Sequence, residues 1–454
     1  MVAGKKVTYL WMEKRNKEKK FLIKKEFISF KMNFFKYKRY NFFCEDIKIA
    51  DICESIKTPF YLYSHNAITN NYNKLSKLLK GTNNVIAYSV KANSNLSILK
   101  VLQNIGAGAD IVSIGELKRA KMAGIPSNKI VYSGVGKNKS EISAALDFNI
   151  QQFNIESLEE LYTIAKIASE KGISANIALR VNPDIIAGGH PKISTGKKTD
   201  KFGIPIKEAK KIYDIARDLK NINVVGVDIH IGSQILDLKP FKKAFDTIIK
   251  FTNELEMEGH NIKNIDLGGG IGISYLQQED NNFVAEYANL VKKVYKRTNK
   301  KIFIEPGRFL IANAGILVTK ILYKKTTANK EFLIVDAGMN DFIRPALYDA
   351  KHKIRPVNYG KKIDQAIYEV VGPICETADI LIKKAYLDKN IKQDDYLFID
   401  NVGAYGAVMS SSYNSKDMAC EVLVNKNQFS LIKEKIRTED FLKFEKIAPW
   451  LNKK

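Results

Sequence analysis

The chain has 454 residues, 45% of them hydrophobic, which is room for two domains with buried cores, and no apolar run approaches the ~18 residues that span a bilayer. Its formal net charge is +24, yet the lysines are spread beside isoleucine and asparagine over nearly every predicted helix and no nucleic-acid-binding motif is met, so a solvated lysine face is expected and neither a nucleic-acid nor a membrane partner. Cys44, Cys53, Cys375 and Cys420 form no CxxC pair or regular framework, as expected in a reducing cytoplasm.

Residues 1–31 differ from the rest. Lysine pairs at Lys5-Lys6, Lys19-Lys20 and Lys24-Lys25 alternate with isolated aromatics, no continuous apolar core of a secretion signal is present, and Glu13, Glu18 and Glu26 do not suit an acid-poor transit peptide. From Met32 the composition becomes ordinary, which predicts a natural start there and a disordered or loosely helical extension before it; a basic membrane-surface or partner-binding arm is the competing reading. Residues 32–65 form an N-terminal segment in which Pro59–Tyr63 predicts a strand lent to a later β domain.

From about residue 85 short β-branched runs alternate with helix-length segments, the pattern of repeated βα units. Strands are expected at 85–91, 108–113, 129–134, 152–156, 175–182, 224–231, 264–268 and 302–306, and eight units predict a closed parallel (β/α)8 barrel over 66–309 with its reactive groups at the C-terminal strand ends. Lys91, His230, Gly268–Gly270 and Glu305 all fall at such ends. A Gly-rich insertion, 185–203, follows the fifth strand and is expected to be a lid or binding loop. Beyond 310 the strand-rich runs 315–323, 331–336, 368–371, 396–400 and 421–424 predict a mostly β domain over 310–454, so the fold class is α/β, a TIM-type barrel with a second β domain.

Three signals carry chemistry. Lys91 ends an apolar strand in Tyr88-Ser-Val-Lys91-Ala-Asn93, so its amine should project into the barrel mouth; alone it would be one exposed lysine among many. The run Asp266-Leu-Gly268-Gly269-Gly270-Ile-Gly272 follows a strand and suits a phosphate cradle backed by a helix starting just after it, with a tight turn as the alternative. Ser233 in His230-Ile-Gly-Ser233 could donate a further hydrogen bond there. Glu305 in Glu305-Pro-Gly307-Arg308 is a carboxylate that could face a pyridine nitrogen and keep it protonated, and a salt bridge to Arg308 is compatible with that role. A lysine amine, a phosphate cradle and such a carboxylate are the parts that hold and use pyridoxal 5'-phosphate (PLP), and the carboxylate favours decarboxylation where an arginine would favour racemisation. His230 could lie flat against the ring or be a satisfied core histidine.

These strings, with Arg344-Pro-Ala-Leu-Tyr348, Gly372-Pro-Ile-Cys375-Glu376 and Gly403-Ala-Tyr405-Gly in the same order, resemble fold-type III PLP decarboxylases and, more narrowly, the diaminopimelate decarboxylase family over residues 32 to 454. The resemblance implies decarboxylation of meso-2,6-diaminopimelate to L-lysine in a head-to-tail homodimer with shared sites. Position by position it implies Lys91 as the lysine on the cofactor aldehyde. Asp110, His230, Ser233, Gly268, Gly269, Gly270, Glu305, Pro306, Gly307, Arg308 and Tyr405 would contact PLP. Arg308, Arg344 and Tyr348 would face the distal carboxylate of the substrate and Glu376 the distal amine, with Tyr405 also touching the substrate, while Cys375, arriving from the second subunit, would deliver a proton after CO2 leaves; a buried structural cysteine is the alternative. Two arginines can grip a carboxylate with paired hydrogen bonds, a group that ornithine or arginine lacks at that end, so decarboxylases of those substrates and amino-acid racemases are the weaker readings. The chain departs from the family pattern in 1–31 and at Lys416-Asp417-Met418, where an arginine-proline pair is usual.

Overall fold

Eight apolar runs become eight parallel strands that close on themselves: β1 (Asn84–Ser89), β2 (Gly108–Ile111), β3 (Ile130–Tyr132), β4 (Gln152–Ile155), β5 (Ala175–Asn182), β6 (Ile222–Asp228), β7 (Asn264–Asp266) and β8 (Lys301–Ile304). Closure is made where β8 returns to β1, with Ile302, Phe303 and Ile304 opposite Asn84, Val85 and Ile86. The expected barrel is therefore present, its strands each within a few residues of the sequence-based bounds. This computed structural model describes residues 34–185, 201–276, 281–360 and 364–452. The extension 1–31 and most of the insertion 185–203 lie outside the described residues.

Local chemistry sets the intervening helices. Ser113 and Ser157 each accept the backbone N–H three residues on, from Glu116 and Glu160 at 3.2 Å, which satisfies one of the donors left open at a helix start. The same helices, Ile114–Ala123 and Leu158–Lys171, end on Gly124 and Gly172 with φ of 82° and 64°, a left-handed cap that glycine adopts without steric cost. Their buried faces, such as Leu161, Ile164, Ala165 and Ala168, pack onto the barrel's outer surface.

The second layer is a mixed sheet built on the long strand Gly315–Thr326, which pairs antiparallel with Glu331–Val335, Tyr396–Ile399 and Phe60–Ser64. Phe60–Ser64 also pairs in parallel with Cys420–Asn425, so the N-terminal segment does supply this sheet with a strand. Strands at Ile354–Pro356, Ile380–Asp388 and Gln428–Lys433 and a three-stranded ribbon over 35–48 were not marked by the sequence pattern. They are short, proline-bearing, or carry lysines and exposed positions that dilute a period-2 signal, as in Ile380-Leu-Ile-Lys-Lys-Ala. A separate cluster of Phe35, Phe42, Ile49, Phe60, Leu62, Ile316, Val318 and Phe398 packs the ribbon onto one face of the sheet.

One local expectation fails. No helix starts directly after the glycine run; Ile271–Leu276 is extended or bent, and the next helix among the described residues is Asn281–Thr298. The cause is a backbone tie to the preceding loop, in which Ile235 N–H donates to Gly270 O at 2.9 Å and Gly272 N–H to Ile235 O at 3.0 Å. A helix dipole therefore does not back the turn, and the backbone and side chains around it must do so.

Candidate active site

The C-terminal strand ends open on a cavity of about 450 Å³ whose lining includes Lys91, Arg180, His230, Ser233, Glu305, Arg308, Arg344, Tyr348 and Tyr405. Lys91 follows β1, and its Nζ lies 3.0 Å from Oδ2 of Asp110, the fully buried third residue of β2. Burial disfavours the ammonium, but Asp110 and then Glu305 outweigh it and push the amine above its ordinary range. Ser89 braces the same carboxylate, donating to Asp110 Oδ2 at 2.7 Å with its Oγ 3.0 Å from the Glu305 carbonyl.

Glu305 is buried just past β8 and accepts from Ser133 Oγ at 3.3 Å. Burial, then Asp110 and Asp266, push its carboxyl well above the usual range, against the pull of Lys91 and Arg180. It does not pair with Arg308, which instead donates to Tyr275 OH at 2.5 Å and Ser233 Oγ at 3.1 Å. His230 lies 3.8 Å from Glu305 through Nδ1. That nitrogen accepts Gly269 N–H at 3.1 Å, while burial, then Arg180 and Lys91, push the imidazole well below its ordinary range. The ring is therefore neutral with its proton on Nε2, a cavity wall that also anchors the glycine turn.

At Gly268 (φ 64°) a Cβ would fall 2.5 Å from Ile229 O, and at Gly269 2.3 Å from Glu305 O. The turn thus presses its backbone against the strands carrying His230 and Glu305, which no side chain would permit. Gly270 and Gly307 line the cavity, whereas Pro306 turns its carbonyl back to Ser89 N–H at 3.4 Å.

Across the cavity the second domain contributes Arg344, Tyr348 and Tyr405. The Arg308 guanidinium carbon stands 4.7 Å from the Tyr405 ring centroid, and that of Arg344 5.5 Å from Tyr348 and 5.9 Å from both Tyr275 and Tyr405. The Nε atoms of Arg308 and Arg344 are buried without hydrogen-bond partners. Burial and the neighbouring Arg308 lower the proton affinity of Arg344, so an incoming carboxylate would relieve two crowded cations.

Cys375 and Glu376 do not join the cavity of their own chain. Both are exposed, with Cys375 N–H donating to Asn414 Oδ1 at 2.9 Å and Tyr413 OH to Glu376 at 2.8 Å. Residues overlooked in the sequence complete the wall, namely Ser89, Ser133 and Arg180 on β5, whose Nη1 is 2.9 Å from Glu156 Oε1, while Tyr275 stands behind it as the acceptor of Arg308. Arg180, Glu156 and Asp228 had a signal, since each interrupts or ends an apolar strand run at the level of Lys91. Tyr275 and Ser133 had none.

The family model described as the pyridoxal binding domain of pyridoxal-dependent decarboxylases matches residues 65–312. Diaminopimelate decarboxylases of Haemophilus influenzae and Aquifex aeolicus are 43% and 42% identical over 89% and 88% of this chain and 97% and 95% of theirs. This chain belongs to the diaminopimelate decarboxylase family. Among solved structures, that of the Helicobacter pylori diaminopimelate decarboxylase complexed with L-lysine matches with a TM-score of 0.83 and 41% identity, over 87% of this chain and 98% of that one. The M. jannaschii diaminopimelate decarboxylase in complex with L-lysine matches with a TM-score of 0.87 and 36% identity, over 92% and 98%. The cofactor of this family fits the cavity found here: a turn packed too tightly for any Cβ, a lysine at the mouth and a buried carboxyl beside it are all in place.

Proposed function

We propose that this chain decarboxylates meso-2,6-diaminopimelate to L-lysine and CO2 with PLP held in the barrel mouth. The observation that carries this reading is that Lys91 and Glu305 line one cavity together with Arg308 and Arg344. Bound PLP supplies an electron sink for the pair released when the carboxylate departs. Lys91, oriented by Asp110, is the amine that would hold the cofactor aldehyde. Glu305 would hold a proton at the pyridine nitrogen, and its raised proton affinity suits that task. Gly268, Gly269, Gly270, Ser233, Gly307, Arg308 and Tyr405 would hold the phosphate, with His230 against the ring.

Arg344, assisted by Arg308, Tyr348 and Tyr405, would bind the carboxylate that does not react, which fixes the reacting one over the barrel mouth. The exposed position of Cys375 and Glu376 supports a homodimer in which Cys375 of the partner subunit returns the proton and Glu376 of the partner subunit receives the distal ammonium. The four thiols are free and three of them buried, in keeping with a reducing cytoplasm. The same reading divides the chain into a PLP-binding barrel over 66–309 and a β domain over 310–454 joined by 32–65.

The test is release of lysine and CO2 from meso-diaminopimelate by PLP-reconstituted protein, beside ornithine and arginine. Turnover confined to diaminopimelate is expected. Turnover of ornithine or arginine in its place would show that the two arginines do not select a distal carboxylate.

A further inference from the structure

Asp228 ends β6, Asp266 ends β7 and Glu305 follows β8, and each offers an oxygen within 4.8 Å of the others, all three being buried. Asp228 and Asp266 are direct neighbours in register, and Asp228 faces Arg180 on its other side. Asp110 on β2 and Glu156 after β4 also act on this group, and the cations that face it are Arg180 and Lys91; Tyr213, on the helix packed outside, senses Asp228 as well. Five buried carboxyls, Asp110, Glu156, Asp228, Asp266 and Glu305, thus meet two cations. Taking all five out of water as anions is prohibitive, so protons must reside among them.

The hydrogen bonds show where. Asp266 Oδ1 accepts Gly268 N–H at 3.0 Å and its Oδ2 accepts Asn154 Nδ2 at 3.3 Å, both favouring the carboxylate. Asp228 Oδ1 is buried with no hydrogen-bond partner, so there the ionised form has least support. We propose that Asp228 holds a proton beside an ionised Asp266, and that this neutral Asp228 is a positioning residue for the glycine turn and Glu305. A single negative charge is then left on Asp266, which holds Gly268 N–H, while Glu305 N–H donates to the Gly268 carbonyl at 2.8 Å. One proton beneath the floor thereby sets both the turn and the carboxyl that act on the ring. Burial, reinforced by Glu305 for Asp228 and by Asp228 for Asp266, raises the proton affinity of the pair, the direction that a proton held there requires.

The inference rests on the proposed function only in that the floor belongs to the PLP site, and its test reads the protein's own carboxyls whether or not diaminopimelate is turned over. Infrared spectra of the PLP-loaded protein, with and without [4-13C]aspartate, should contain an acid C=O band at mildly alkaline pH that moves with the label and in D2O. The band should vanish in Asp228→Asn and persist in Glu305→Gln. PLP affinity should fall about tenfold or more in Asp266→Asn, which loses the charged acceptor, and less in Asp228→Asn, which keeps a neutral donor. Absence of a label-sensitive acid band from the wild-type protein overturns the assignment by itself, even if no variant folds. So does the reverse order of the two affinities, or a tightly bound metal ion on the purified protein in place of the proton.

Discussion

Arg308, at the end of the barrel, carries its guanidinium 4.7 Å from the ring of Tyr405, which belongs to the β domain. Both side chains line the cavity, and Tyr405 N–H donates to the carbonyl of Ala92, next to Lys91, at 2.8 Å. The lysine and the arginine end of the site are thus fixed to one another through a single tyrosine.

Replacing Lys91 removes both the amine and the cation paired with a fully buried Asp110. Lys91→Ala is expected to lower kcat by about three orders of magnitude or more and to abolish the absorbance of lysine-bound cofactor. Both are read on the reconstituted protein by spectroscopy and CO2 release. Unchanged absorbance would move the attachment point to another lysine.

Gly269→Ala would force a Cβ against the Glu305 carbonyl, 2.3 Å away in the present backbone. The turn must move, and with it the bond from Gly269 N–H to His230. PLP binding is expected to weaken by about tenfold or more, measured by equilibrium titration, with the far-ultraviolet spectrum unchanged.

Arg344→Met keeps the stem and removes the charge from the distal end of the cavity. KM for diaminopimelate should rise by about tenfold to a hundredfold, the worth of a charged hydrogen bond to a carboxylate, with a smaller change in kcat. A fall in kcat at constant KM would place Arg344 with the reacting group instead.

If Cys375 serves the neighbouring subunit, two dead proteins should complement each other. Lys91→Ala and Cys375→Ala, mixed in equal amounts and allowed to exchange, would form heterodimers with one intact site in half of the molecules, so about a quarter of wild-type activity should return. Mixing that restores nothing, with exchange verified by mass, would leave Cys375 outside the reaction.

Asp341 gives a pH-dependent stability away from the cavity. It is buried, its Oδ2 accepts Gly338 N–H at 3.0 Å, and its Oδ1 has no partner. Burial, with smaller help from Asp336 and Asp379, pushes its carboxyl up to about 7. With an unfolded value of ~3.9, the folded state holds the proton more tightly, so this contribution is full below about pH 4 and is lost as pH rises through about 7. Asp341→Asn lacks that loss and should gain on wild type between about pH 5 and pH 8.5 by on the order of 2 kcal/mol, seen in urea unfolding at the two pH values.

The sequence by itself determined the count and order of the βα units, because strand-length apolar runs and helix caps act over a few residues. It also determined where Lys91, His230, the glycines and Glu305 would sit, since the end of a barrel strand is a position along the chain. The tertiary structure alone decided what those residues touch. Ser89 reaching Asp110 and Glu305, Arg308 choosing Tyr275 and Ser233 over Glu305, and the gathering of Asp228 and Asp266 beside Glu305 all join strands far apart in sequence. Such pairings carry no local period, and the proton affinities they set depend on how much water the closed barrel excludes, which no stretch of residues encodes alone.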